Sequence, residues 1–187
     1  MKPEKPIIFF DTEFTYLNAR IGELLSVGLV KETGEELYLE FEQPPLEKMD
    51  PWVVEHVLPS LSGKDVVSKE VAREKLRAFV GSEKPYLMAY VNQFDAIYWY
   101  DLFSDPQKHP AFWIPIDFAS ILFAHGFDPG SMGKQEFFDR IGVKKTNYET
   151  RGHNALEDAQ LLKEVYYRFI SYIGAENSPA FKTSTKR

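Results

Sequence analysis

Apolar and polar positions follow two rhythms along this chain. Ile7-Ile8-Phe9-Phe10 is an unbroken apolar run between Pro6 and Asp11, which predicts a short strand covered on both faces. Glu23 to Val30 and Glu36 to Phe41 flank Glu32-Thr33-Gly34-Glu35. The second of these runs alternates apolar with polar and the gap contains glycine, so the pair predicts a β-hairpin. After Gln43-Pro44-Pro45 the rhythm is lost as far as Lys64, with Pro51, Pro59 and Gly63 as breaks; short turns of helix are expected there. A helical period returns over Ser68 to Val80, with Val71, Leu76, Phe79 and Val80 as its apolar side and Gly81 as its stop. Pro85 to Val91 predicts a second buried strand, and Ala96 to Phe103, apolar almost all round, a buried helix. Ile114 to Asp117 reads as a short strand running into a helix from Phe118 to Ala124. Met132 to Ile141 is a helix closed by Gly142, and the last helix runs from Asn154 to about Tyr172. Asn154 and Glu157 stand at capping-box spacing.

A hairpin-led sheet followed by alternating strands and helices is the order of a mixed α/β sandwich. Residues 1–174 form one domain without internal repeat or linker, and 175–187 are a polar tail containing Pro179. The 187 residues, 44% hydrophobic, suffice for one sizeable core. Aromatics reach 15%, more than one core usually absorbs, so some should line a cleft.

Composition removes several chemistries. There is no cysteine, hence no disulfide, thiolate zinc site or cysteine nucleophile. The formal net charge of −6 argues against a broad basic face that coats nucleic acid, though not against an enzyme acting on it. No apolar run has the length of a signal peptide or membrane span, so a soluble cytoplasmic protein with no membrane partner is expected.

The candidate chemistry begins where the first strand ends. On an extended chain residues i and i+2 point to one side, so Asp11 and Glu13 face the same way. Like charges held close raise a pKa or require a cation, and oxygen-only ligands select a hard ion such as magnesium or manganese. An Asp-x-Glu triplet is also ordinary turn chemistry. Asp95 follows the second buried strand at the opening of a helix, a place where a carboxylate also serves as a plain cap. His153 lies in the loop before the last helix and Asp158 about one turn inside it. Four carboxylates and one histidine suit two-metal phosphoryl transfer, with the histidine free to take a proton from water. His56, His109 and His125 show no ligand spacing and are read as structural.

Phe10-Asp11-Thr12-Glu13-Phe14, Phe94-Asp95 and His153-Asn154-Ala155-Leu156-Glu157-Asp158-Ala159 resemble, in order and spacing, the three signatures of the DEDD exonuclease superfamily. The histidine five residues before the last aspartate resembles its DEDDh branch, which includes ribonuclease T, oligoribonuclease and polymerase proofreading subunits. The compact, aromatic-rich form is most similar to the small bacterial and phage exoribonucleases. The resemblance implies a ribonuclease-H-like three-layer α/β/α fold with a central mixed sheet of about five strands. It implies 3′–5′ removal of nucleotides from single-stranded nucleic acid, RNA ahead of DNA, with two Mg2+ or Mn2+ ions. Asp11, Glu13, Asp95 and Asp158 are the implied metal ligands and His153 the implied general base, and a homodimer is implied too. One departure stands out: where the family often has His-Asn ahead of the second Asp, this chain has Tyr90-Val91, with Asn92 one place late.

For the substrate or nucleotide product, Thr12 and Phe14 are the expected contacts, Phe14 as a stacking surface with core packing as its alternative. Trp52, Glu55 and His56 are placed at the border of the cleft. Lys134, Arg140, Lys144, Lys145 and Arg151 are expected to reach phosphates, with a merely solvated surface as the alternative. A non-catalytic nucleic-acid-binding or scaffolding domain that keeps the fold is the competing reading. The complete set of five residues favours the enzyme.

Overall fold

The first apolar run does not stop at Phe10: strand β1 (Ile7–Phe14) continues through the acidic triplet. In the computed structural model, which describes residues 4–104, 107–144 and 153–176, β1 is the middle strand of a five-stranded sheet. The hairpin strands β2 (Leu24–Lys31) and β3 (Glu36–Glu40) lie to one side, antiparallel. Gly34 takes a φ of +102° in the turn that joins them, a value glycine reaches without steric cost. On the other side β4 (Tyr86–Ala89) and β5 (Ile116–Asp117) run parallel to β1, giving the order β3-β2-β1-β4-β5.

Strand alternation divides β1 between two cores. Ile8 and Phe10 pack with Leu76 and Val80 of α2 (Lys69–Val80) and Trp99 and Leu102 of α3 (Gln93–Phe103). Ile7 and Phe9 face the opposite way, toward Phe118 and Leu122 of α4 (Phe118–Ala124), Phe138 of α5 (Gln135–Ile141) and Val165 and Phe169 of α6 (Ala155–Glu176). The result is three layers, helices on both faces of a mixed sheet. Phe9 and Phe10 are fully buried, each worth roughly 1.5–3 kcal/mol of transfer free energy. A smaller cluster of Leu25, Met49, Val53 and Val57 fixes α1 (Pro51–His56) and the short turns beside it.

Several local features depart from the sequence pattern, among them α5, which begins at Gln135 because Pro129–Gly133, with Met132 in it, forms a separate 3-10 turn. The inward seam of α2 is Ala72, Leu76 and Val80, while Val71 is exposed. Ser68 caps the helix by accepting from the Val71 amide, and a helix started there brings every fourth residue from Ala72 onto the core. Strand β4 ends at Ala89 because Val91 adopts a φ of +59°, and α3 therefore starts at Gln93, earlier than its apolar run. Strand β5 is short because Asp117 caps α4, accepting from the amides of Ala119 and Ser120. Helix α6 continues to Glu176, so Ala175 and Glu176 are helical; the rest of the expected tail lies outside the described residues. Among the described residues no helix is long and apolar enough to cross a membrane.

Candidate active site

Asp11 and Glu13 share the odd-numbered face of β1 with Ile7 and Phe9, the face that meets α6. Asp158 sits in the first turn of α6 and Asp95 in the first turn of α3, positions where the positive end of the helix dipole favours a carboxylate. Thr12, on the other face of β1, holds Asp95 in place: its amide and its hydroxyl both donate to Asp95 Oδ1, at 2.9 and 2.7 Å. One strand thus presents two acids to one side and anchors a third from the other. The four acids, Thr12, Phe14 and His153 line one cleft of about 510 Å³. Donor atoms of Glu13, His153 and Asp158 all lie within 4.8 Å of one another.

The close approach of α6 depends on Gly28, which pairs with Asp11 across β1 and β2. A Cβ at Gly28 would lie 2.3 Å from the Leu156 nitrogen and 2.4 Å from the Ala155 carbonyl. Glycine inside a strand often marks such contact with another backbone. Asn154 sets the start of the helix there, its Oδ1 accepting from the amides of Leu156 and Glu157 at 3.1 and 3.2 Å.

The cleft is electrostatically unbalanced. Among the described residues no lysine or arginine lines it, whereas five acids do, Asp50 being the fifth. Burial, with the charges of Asp95, Glu13 and Asp158 added, pushes the Asp11 carboxyl well above the usual carboxylate range. Burial, then Asp158 and Asp95, raises Glu13 to about 8. Asp95 is raised to about 7 by burial, against the opposing hydrogen bonds from Thr12. These are oxygen donors drawn close together, and a hard divalent cation is the partner their chemistry fits. Asp11, Glu13, Asp95 and Asp158 would hold it.

His153 stands at the rim, exposed, with the edge of its ring against Trp52 at 4.8 Å. Trp52 in turn stacks on His56 at 4.7 Å. Partial burial of the ring, with His56 nearby, lowers the His153 pKa below its ordinary value. Its carbonyl accepts from the Ser60 hydroxyl, and that segment is tied down by Glu40. The Glu40 side chain, buried on β3, accepts from the amides of Ser62 and Gly63, both at 2.8 Å, and from the hydroxyls of Tyr38 and Ser62. Burial pushes the Glu40 carboxyl up, but these donors more than offset it, and the pKa stays below the usual value. Glu40→Gln is expected to cost about 2–4 kcal/mol in chemical denaturation, since a buried charged acceptor loses several donors. A depressed carboxyl stabilises above its unfolded pKa and loses that contribution as pH falls through its folded pKa. The gap between wild type and variant should therefore close in acid.

The remaining expected contacts divide. Phe14 is half-buried, stacked on Tyr98 at 4.4 Å, and also lines the cleft. Trp52 lines the cleft and is half-exposed, as is Leu17, which was not singled out from the sequence. Glu55 and His56 are not part of the lining. Lys134 is paired with Asp128, and Arg140 donates to the Tyr172 hydroxyl at 2.7 Å while lying over Phe127; neither lines the cleft. Lys144 is exposed, and Lys145 and Arg151 lie outside the described residues. Asn92 faces away, its amide group donating to the Ile116 carbonyl at 2.7 Å, whereas Tyr90 and Val91 line the cleft. His109 is buried among Trp99, Tyr100 and Phe103, and His125 packs on Phe169.

No established protein-family profile matches this chain. Over 95 residues it is 34% identical to a 3′-5′ exoribonuclease of Mycobacterium tuberculosis, found in strains H37Rv and CDC 1551. That match covers 48% of this chain and 56% of the relative, so the likeness spans about half of each. Among solved structures, the zinc-bound complex of Escherichia coli exonuclease I with single-stranded DNA superposes with a TM-score of 0.62, over 96% of this chain and 42% of that one, at 12% identity. Product-bound exonuclease I gives 0.60 over 90% of this chain and 44% of that one, at 9% identity. The fold is the ribonuclease-H-like fold that exonuclease I has. A third structure, yeast CAF1 with the NOT1 MIF4G domain, gives 0.58 over 93% of this chain and 82% of that one, at 11% identity.

Proposed function

We propose that this protein is a 3′–5′ exonuclease that shortens single-stranded nucleic acid, RNA in preference to DNA, with two Mg2+ or Mn2+ ions. The observation that carries the reading is the convergence of Asp11, Glu13, Asp95 and Asp158 from three separate elements on one cleft with His153 at its rim. The ions, when bound, supply a Lewis acid at the scissile phosphate and an acidified water. The chain supplies the rest. The four acids hold and space the ions, Thr12 fixes the reach of Asp95, and α6, resting on Gly28, sets the reach of Asp158. His153 is the general base: its lowered pKa keeps the imidazole neutral at pH 7, ready to accept a proton on a ring nitrogen.

Phe14, Leu17 and Trp52 give the cleft apolar surfaces on which bases can lie without sequence preference. The mycobacterial relative is named an exoribonuclease, which supports RNA, and exonuclease I has been solved with single-stranded oligonucleotides, which supports an unpaired substrate. The resemblance also favours a homodimer.

Matched RNA and DNA strands carrying a 5′ label test the reading. Stepwise loss from the 3′ end, dependent on Mg2+ or Mn2+ and faster on RNA, is expected. Internal cuts, loss from the 5′ end, or binding without shortening would overturn it, the last in favour of a binding domain. Phe14→Ala is expected to raise KM for a short oligonucleotide by about 5- to 150-fold with kcat little changed, as befits the loss of about 1–3 kcal/mol of stacking. An unchanged KM would return Phe14 to the core.

A further inference from the structure

The first bond of the α6 ladder is accepted by the Asn154 carbonyl, from the Asp158 amide at 2.9 Å, so His153 stands outside the helix that follows it. Its ring is nevertheless closely placed, with a nitrogen within 4.8 Å of carboxylate oxygens of Glu13 and Asp158. Its backbone is reached from 93 residues earlier in the chain, where the Ser60 hydroxyl donates to the His153 carbonyl. We infer that Ser60, held in place by Glu40, is a positioning residue for His153 and sets the imidazole against the acids of the cleft. The hold stands on the geometry alone; its effect on rate rests on the exonuclease reading.

Ser60 is itself anchored on both sides. Before it, Val57, buried with Leu25, Met49 and Val53, accepts from the Ser60 amide at 2.9 Å. After it, the amides of Ser62 and Gly63 and the Ser62 hydroxyl close on the Glu40 carboxylate at 2.8–3.1 Å. Bonds to a charged acceptor are the strong ones, and Glu40, 4% exposed, is shielded from competing water. Glu40 lies opposite Ser26 in the β2–β3 register, and Ser26 opposite Glu13 in the β1–β2 register. One row of the sheet therefore carries both an acid of the cleft and the root of the segment that reaches the base. The neighbouring helix α1 meets the His153 ring as well, through Trp52 at 4.8 Å. A single hydroxyl-to-carbonyl bond adds little to global stability. A displacement of about 1 Å at a reacting group, by contrast, costs about 100-fold in rate. Positioning and stabilising roles are separable on that ground.

Proton NMR of the metal-free full chain reads the hold directly. The chain has four histidines, and the His153 ring signals are those missing from His153→Ala. Against the Trp52 indole they are expected away from their ordinary positions, and Ser60→Ala should return them toward those positions. In strand shortening, Ser60→Ala should lower kcat about 10- to 100-fold, with KM, Mn2+ affinity and melting temperature as in the wild type. Ser60→Thr, which keeps the hydroxyl, should restore the rate. In a His153→Ala background Ser60→Ala should change nothing further, since groups that act as one unit do not add. Unmoved ring signals in Ser60→Ala, or the same loss of rate with and without His153, would overturn the positioning role. A protein that shortens no strand under any metal fails the exonuclease reading, while the ring signals still judge the hold.

Discussion

Asp11→Asn should abolish strand shortening and, in the same protein, raise the melting temperature of the metal-free form. Both effects come from one source. Asp11 lies among Asp95, Glu13 and Asp158, and its carboxyl is pushed well above the ordinary range by burial and by those three charges. An acid whose folded pKa is raised binds protons in the folded state that the unfolded state has released. Stability then falls as pH rises. For Glu13, at about 8 when folded, and Asp95, at about 7, the loss builds from about pH 4 toward pH 8. Removing the Asp11 charge relieves the crowding, by on the order of 1–3 kcal/mol at pH 8 and by nothing at pH 4. Under the proposed function the same substitution also removes a cation ligand, and losing about 4 kcal/mol of transition-state stabilisation is about 10³-fold in rate. Calorimetry at pH 5 and pH 8, with a single-turnover assay beside it, reads both signs. A variant less stable than wild type at pH 8 would mean that the acids are not crowded.

Gly28→Ala is expected to be nearly as damaging without touching any acid. The new methyl carbon meets backbone atoms of Ala155 and Leu156 at 2.3–2.4 Å, and backbone cannot rotate away as a side chain would. The start of α6 must lift from the sheet. Overpacking of this kind costs about 1–3 kcal/mol. The larger consequence is at Asp158, carried one turn further along the lifted helix. A displacement of about 1 Å at a reacting centre is worth about 100-fold in rate, so kcat should drop by that order. Gly133→Ala, whose methyl would meet nothing within 4 Å, is the control and should leave stability and rate near wild type. Equal effects at the two positions would remove the claim that Gly28 sets the height of α6.

Much of the frame was legible because period and punctuation agreed. The alternation that puts Asp11 and Glu13 on one face holds because β1 stays extended through Phe14. The hairpin and the Asn154 cap follow from local chemistry that needs no tertiary partner. What stayed hidden depends on contacts between distant segments. Glu40 occupies a polar place in an alternating strand and reads as solvent-facing, yet it is buried by Ser62 and Gly63. Arg140 reads as a phosphate ligand because only its charge shows in the sequence; Phe127 and Tyr172 form the notch that takes it. Val91 is a β-branched residue at positive φ, a conformation its own preferences oppose. It persists where the chain turns from β4 into the helix carrying Asp95, and such strain gathers at functional sites. Gly28 did carry a signal, a lone glycine in an apolar run, which states that something comes close without saying what.

The proposed function stands on four carboxylates that converge on one cleft and would hold its cations. Diffraction from crystals soaked in Mn2+, collected where manganese scatters anomalously, tests it directly. Anomalous peaks are expected in contact with Asp11, Glu13, Asp95 and Asp158, and should be lost from Asp11→Asn crystals. Ordered manganese found only elsewhere on the protein, with those carboxylates unliganded, would contradict it.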